Sequence, residues 1–138
     1  MKIILTGHGE TSIAMKGAIE MIFGKNDNFY PVPFVMGEGL ESLTKKIEDT
    51  ISNFDETEEI LVISDLFSGT PYNAAATLCL KKKVTDVIAG MSLPICLEVA
   101  NLANTKKVSE LVPFILSNSP SYTRALSQEL NIQEEDDF

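Results

Sequence analysis

The sequence predicts an α/β fold of the doubly wound kind, a mainly parallel sheet with helices on both faces. Three observations predict it. Short apolar runs recur in the manner of buried strands. Each is followed by a stretch whose apolar residues return at helical spacing. Glycine or proline marks most of the junctions. Four strand–helix units in a row require crossovers that cover both faces of a parallel sheet. The 138 residues make one ordinary domain. A chain of this size buries roughly two thirds of its unfolded surface, so it folds without disulfides or metal.

The elements follow in order. Ile3 to Leu5 is a short apolar run closed by Gly7. Met15, Ala18, Ile19 and Ile22 then recur at i, i+3, i+4 and i+7, and Gly24 is placed to end that helix. Phe29 to Val35 is strand-like, with Pro31 and Pro33 marking an edge or irregular strand. Leu40, Leu43, Ile47, Ile51 and Phe54 predict the second helix, and Ile60 to Ile63 is the clearest buried strand. Thr70 reads as an N-cap followed by Pro71 at the first helical position. Ala74, Ala75, Ala76, Leu78 and Cys79 make that third helix small-sided. Val84 to Ala89 is a fourth strand ended by Gly90, and Pro94 opens a helix over Ile95 to Leu102. Beyond Thr105, Leu111, Phe114, Ile115 and Leu116 look helical, but Pro113 and Pro120 interrupt the register. Tyr122 to Leu130 fits a helix or a short strand. The domain is expected to span 1–133, with 134–138 an acidic, disordered tail.

Twenty acidic against eleven basic side chains give a net charge of −9. Phosphate-backbone binding needs clustered Lys and Arg, so no nucleic-acid partner is expected. The acidity suits docking to a basic protein, or solubility alone. Cys79 and Cys96 lie in apolar surroundings outside any Cys/His cluster, as buried thiols do in a reducing compartment. No apolar run reaches the ~20 residues that span a bilayer. The apolar start stops at Thr6-Gly7, short of the ~7–15 apolar residues of a signal peptide. A cytoplasmic, soluble protein is expected.

Function in a doubly wound sheet gathers at the carboxyl ends of the strands. Three loops meet there: Gly7-His8-Gly9, Asp65 to Thr70, and Gly90 to Pro94. His8 is the single histidine, and its small neighbours leave the ring open. An imidazole nitrogen is a competent nucleophile near neutral pH. The alternative is an incidental loop histidine. Asp65 ends a buried strand, where a carboxylate is costly unless paired. If strands one and three are neighbours, Asp65 can accept from Nδ1–H and leave Nε2 free to attack. Otherwise it caps a turn. Thr70 offers a hydroxyl and the open amides of a helix start, and Ser68, Gly69 and Gly9 add backbone donors for an anion. Together these suggest phosphate handling without a nucleotide, since neither G-x-x-x-x-G-K-[ST] nor a strand-following G-x-G-x-x-G is present. One histidine and one aspartate are too few for a typical zinc site, and no cofactor is expected.

These residues carry a family resemblance. The segments Ile3 to Gly9, Phe34-Val35-Met36-Gly37-Glu38-Gly39, Asp65 to Ala75 and Ile88 to Pro94 resemble the enzyme IIA component of the mannose–fructose–sorbose class of the sugar phosphotransferase system. The likeness runs from Lys2 to about Leu116. The third segment is the most specific, with an aspartate, Gly69-Thr70-Pro71 and Asn73-Ala74-Ala75 at fixed offsets. The resemblance implies a flavodoxin-like homodimer, with a C-terminal edge strand open to exchange between subunits. It implies that His8 takes phosphate from phosphorylated HPr and passes it to a separate IIB protein, with membrane IIC and IID components involved only indirectly. Asp65 matches the histidine-orienting aspartate, and Thr70 stands where some members have serine. The alternatives are the similar phosphocarrier of dihydroxyacetone kinase, or a non-catalytic regulatory module of the same fold. Gly37-Glu38-Gly39 and Leu93-Pro94 favour the sugar system.

Overall fold

The computed structural model describes residues 1–136, with side chains to Asn131. Four strands, β1 (Lys2–His8), β2 (Phe29–Phe34), β3 (Ile60–Ser64) and β4 (Asp86–Ala89), form one parallel sheet in the order β2-β1-β3-β4. They alternate with α1 (Thr11–Phe23), α2 (Leu40–Ile51), α3 (Thr70–Leu80) and α4 (Leu93–Leu102), followed by α5 (Val108–Asn118) and α6 (Leu126–Asp136). The sheet is buried on both faces, which is why β1 and β3 read as unbroken apolar runs. Alternation along β1 divides the core. Ile3 and Leu5 join Ile19, Ile95, Val99, Leu111 and Ile115 under α1, α4 and α5. Ile4 joins Leu43, Ile47, Ala74, Ala75 and Leu78 under α2 and α3. The alanines let α3 lie close to α2, as its small-sided sequence predicts.

Strands β1 and β3 are direct neighbours, with Thr6 opposite Ser64. Strand β2 is an edge, as its two prolines predict, and it ends at Phe34 because the Val35 N–H turns to Glu38 Oε1 at 2.9 Å. The fourth strand starts at Asp86, two residues later than the sequence reading. The Thr85 hydroxyl, at 2.9 Å, accepts the Ile60 N–H there in place of a strand carbonyl.

Helix α5 runs through Pro113 without interruption. A proline inside a helix costs about 3 kcal/mol. Leu111 and Ile115 are fully buried on the same helix and contribute about 1.5–3 kcal/mol each, which offsets it. The C-terminal segment departs from the exchanged edge strand that the resemblance implies. Among the described residues no strand follows β4, and Leu126 onward is helical. Ser-Gln-Glu-Leu is rich in straight-chain helix formers, and Arg124 forks Glu129 through two bonds of 2.8 Å across the first turn. Residues 134–136, expected to belong to a disordered tail, continue α6, while 137 and 138 lie outside the described residues.

Candidate active site

His8 is the last residue of β1, and Asp65 follows directly on β3. The parallel register Thr6–Ser64 carries both to the same carboxyl-end rim. Asp65 Oδ2 lies 2.8 Å from His8 Nδ1 and accepts the His8 backbone N–H at 2.9 Å. Asp65 Oδ1 accepts the Leu66 N–H at 2.9 Å. Partial burial pushes the Asp65 carboxyl up, but the His8 backbone N–H, the His8 ring and the Leu66 N–H outweigh it and hold it below its ordinary range. An ionised carboxylate only accepts, so Nδ1 carries a hydrogen, and it is Nε2 that holds the lone pair in the neutral ring. The His8 side chain is 49% exposed and that of Asp65 17%.

Close packing shapes the rest of the rim. A Cβ on Gly7 would stand 2.5 Å from Thr11 Oγ1 and 3.0 Å from Asp65 Cγ, so only glycine lets the carboxylate reach the chain here. Gly9 has φ +62°, and its N–H donates to Phe34 O at 2.8 Å. The Phe34 ring meets the imidazole edge-on with centroids 5.6 Å apart. The Thr11 hydroxyl donates to His8 O at 2.9 Å, tying the start of α1 to the loop.

The third helix presents its amino end to the ring. Its cap is Gly69, in extended backbone with no side-chain bond; Thr70 is the first helical residue and Pro71 the second. The reading of Thr70 as the N-cap is therefore shifted by one. The reason is where the helical bonding begins: the Gly69 carbonyl accepts the Asn73 N–H at 2.8 Å, and Gly69 lies beside the ring, a Cβ there meeting His8 Cε1 at an ordinary 3.5 Å. Ser68 is exposed and holds φ +64°, the left-handed region, which turns the loop into α3. His8, Asp65, Gly9, Gly69 and Thr70 are thus brought to one rim, with Ser68 at its edge. The third loop, Gly90 to Pro94, joins through the Gly90 and Met91 N–H groups on Ser64 O, behind Asp65.

A cleft of about 260 Å³ opens beside His8, walled by Gly9, Phe34, Val35, Met36, Gly37 and Glu38. A larger hollow of about 790 Å³ lies at the amino ends of the strands, between Phe54, Ile60 and Val84, away from this chemistry. Sequence reading assigned no role to Phe34, Thr11 or the Gly7 contact. The hydroxyl three residues after His8 was the one local signal for Thr11. Phe34 and Gly7 act through partners distant in sequence.

The model of the family described as the PTS system fructose IIA component matches residues 2–116. The chain is 50% identical over 139 residues to the PTS system sorbose-specific EIIA component of Lacticaseibacillus casei, covering 100% of both. It is 36% identical over 130 residues to the PTS system fructose-specific EIIA component of Bacillus subtilis, covering 94% of this chain and 89% of that one. A crystal structure of phosphotransferase system component EIIA from Streptococcus agalactiae superposes with TM-score 0.83 at 24% identity, covering 92% of this chain and 98% of that one, a likeness of fold. The flavodoxin-like reading holds, and the chain belongs to the mannose–fructose–sorbose class of enzyme IIA components of the sugar phosphotransferase system.

Proposed function

We propose that this protein is a phosphoryl carrier working through His8. Nε2 attacks the phosphorus of phosphorylated HPr; the new N–P bond forms at His8 as the donor's N–P bond breaks, and HPr leaves with its imidazole restored. The reverse logic passes the group to a IIB protein. Asp65 holds the hydrogen on Nδ1 and balances the ring's growing positive charge as Nε2 bonds to phosphorus. Gly69, Thr70 and Ser68 supply donors for the phosphate oxygens, the open amides of a helix start being suited to an anion; Gly9, expected to add a donor, has its N–H engaged by Phe34 O and leaves only room beside the ring. The observation that carries the reading is the 2.8 Å contact of Asp65 Oδ2 with His8 Nδ1, which leaves one free nitrogen on a half-exposed ring.

In this reading residues 1–133 act as one domain in the cytoplasm, as a homodimer, with the membrane components reached only through IIB. No described helix is long and apolar enough to cross a membrane. The test is incubation with enzyme I, HPr and phosphoenolpyruvate, followed by intact mass. A gain of one phosphoryl group is expected, acid-labile and base-stable as a phosphoramidate is. A chain that takes up no phosphate would leave the regulatory-module reading in its place.

A further inference from the structure

Strand β2 is held to β1 on one side and unpaired on the other. Pro31 and Pro33 stand opposite Leu5 and Gly7 with their nitrogens on the outer side, where no strand pairs, while the alternate residues bond β1. Yet its last residue carries two contacts of the His8 loop, the edge-on Phe34 ring and the carbonyl that accepts the Gly9 N–H. Side chains supply a restraint on the outer side. Lys46, on α2, donates to Pro33 O at 2.6 Å and to Glu38 Oε1 at 2.8 Å. The same Glu38 oxygen accepts the Val35 N–H at 2.9 Å. Residue 34 is therefore bracketed through the carbonyl before it and the amide after it.

An exposed ion pair contributes little. This pair differs in being tied to the main chain at both ends, by charge-assisted bonds, with Glu38 mostly buried. The Lys46 ammonium and the Val35 N–H hold the Glu38 carboxyl below its ordinary range, in keeping with a standing contact. Helix α2 in turn is anchored in the core by Leu43 and Ile47, fully buried on either side of Lys46 in sequence. The chain of contacts thus runs from the core through Lys46 and Glu38 to Phe34, and from Phe34 to His8.

We propose that Glu38 and Lys46 are positioning residues for phosphoryl transfer: their clamp on Pro33 and Val35 fixes the end of β2 and so the orientation of the His8 ring. The inference rests on His8 being the phosphoryl acceptor. Near-attack geometry is steep, and a misplacement of about 1 Å costs on the order of a hundredfold in rate. Removing the clamp lowers the transfer rate within the complex more than it weakens the encounter with the donor.

The variants are Lys46→Met, Glu38→Ala and the charge-swapped double Glu38→Lys with Lys46→Glu. The swap restores an ion pair but removes the donor to Pro33 O and the acceptor for the Val35 N–H. Expected for all three is a kcat for transfer from phosphorylated HPr reduced about tenfold to a hundredfold, with KM changed less than about threefold. Amide exchange at Gly9 should quicken, and the His8 ring resonances should shift. A pair that serves stability alone predicts rescue by the swap and an unaltered ring, and either result overturns the proposal. Full kcat in Lys46→Met does the same. Ring resonances and Gly9 exchange are read on unphosphorylated protein. Should wild type accept no phosphate, the carrier reading falls, while these two measurements still decide whether the clamp orients His8.

Discussion

His8 and Asp65 form a unit whose parts are separable by substitution. His8→Gln should fold normally, since the ring is half exposed, and should accept no phosphoryl group by intact mass. Asp65→Asn keeps the shape but offers an N–H toward Nδ1, favouring the wrong tautomer. We expect a loss of one to four decades in transfer rate by quench flow, at about 1.4 kcal/mol per decade. Thr70→Ala should cost roughly one or two decades, because backbone amides remain for the anion. Wild-type rates in Asp65→Asn would reduce the carboxylate to a turn cap. The pH dependence has a definite sign. Folding lowers the Asp65 pKa below its ordinary 3.8, so its contribution to stability is fully present above that value. It is lost as pH falls through the lowered value. The stability gap between wild type and Asp65→Asn, measured by urea unfolding, should hold at neutral pH and close in strong acid.

The elements set these residues by steric means that differ from loop to loop. In the β1–α1 loop the constraint is space. Gly7→Ala puts a methyl group 2.5 Å from Thr11 Oγ1 and 3.0 Å from Asp65 Cγ, so a neighbour must move. Overpacking of this kind costs about 1–3 kcal/mol, and the transfer rate should fall at least about tenfold because Asp65 is among the neighbours displaced. In the β3–α3 loop the constraint is backbone. Ser68 at φ +64° bears about 1–2 kcal/mol of left-handed strain. Ser68→Gly relieves it but gives the unfolded chain about 0.5–1 kcal/mol more entropy to lose. A net gain of up to about 1 kcal/mol is expected in denaturant unfolding, with transfer retained since the backbone donor remains. A net loss would mean the Ser68 side chain makes a contact that matters. Of these two loops, composition pointed to both, but neither the Gly7 clash nor the Ser68 angle was readable. The Gly7 contact with Asp65 depends on how two distant segments approach.

For the whole molecule, charge and termini decide the expected behaviour. With net charge −9, attraction to a basic donor should speed docking, so transfer from HPr should slow as salt rises past a screening length of about 8 Å. Salt-independent transfer would leave the acidity serving solubility. The two core clusters reach Tyr122 and draw on no described residue of α6, where Leu126 and Leu130 stand 75% and 50% exposed. If the proposed dimer uses that apolar surface, removing 126–138 should yield a folded monomer by sedimentation at micromolar concentration. Its unfolding midpoint should change little. Truncation before Val108 should instead aggregate, because Leu111 and Ile115 are fully buried. Full-length protein that sediments as a monomer would reject the dimer.

The sequence by itself determined the strand–helix alternation, the parallel sheet, the edge role of β2 and the rim where His8, Asp65 and Thr70 gather. Those features follow from periodicity, proline chemistry and chain crossover, all of them local or topological rules. The family model matches residues 2–116. Tertiary structure alone decided three further things: which Asp65 oxygen meets Nδ1, that Gly69 rather than Thr70 caps α3, and that Glu38 and Lys46 brace the strand behind His8. The C-terminal segment, left open between helix and short strand by its own residues and offered as an exchanged strand by the resemblance, is helical from Leu126. The Asp65–His8 contact and the brace on Pro33 and Val35 are settled where separate elements meet, at distances of tenths of an ångström. No local pattern encodes such distances, because they come into being only when the sheet closes and brings its loops to one edge.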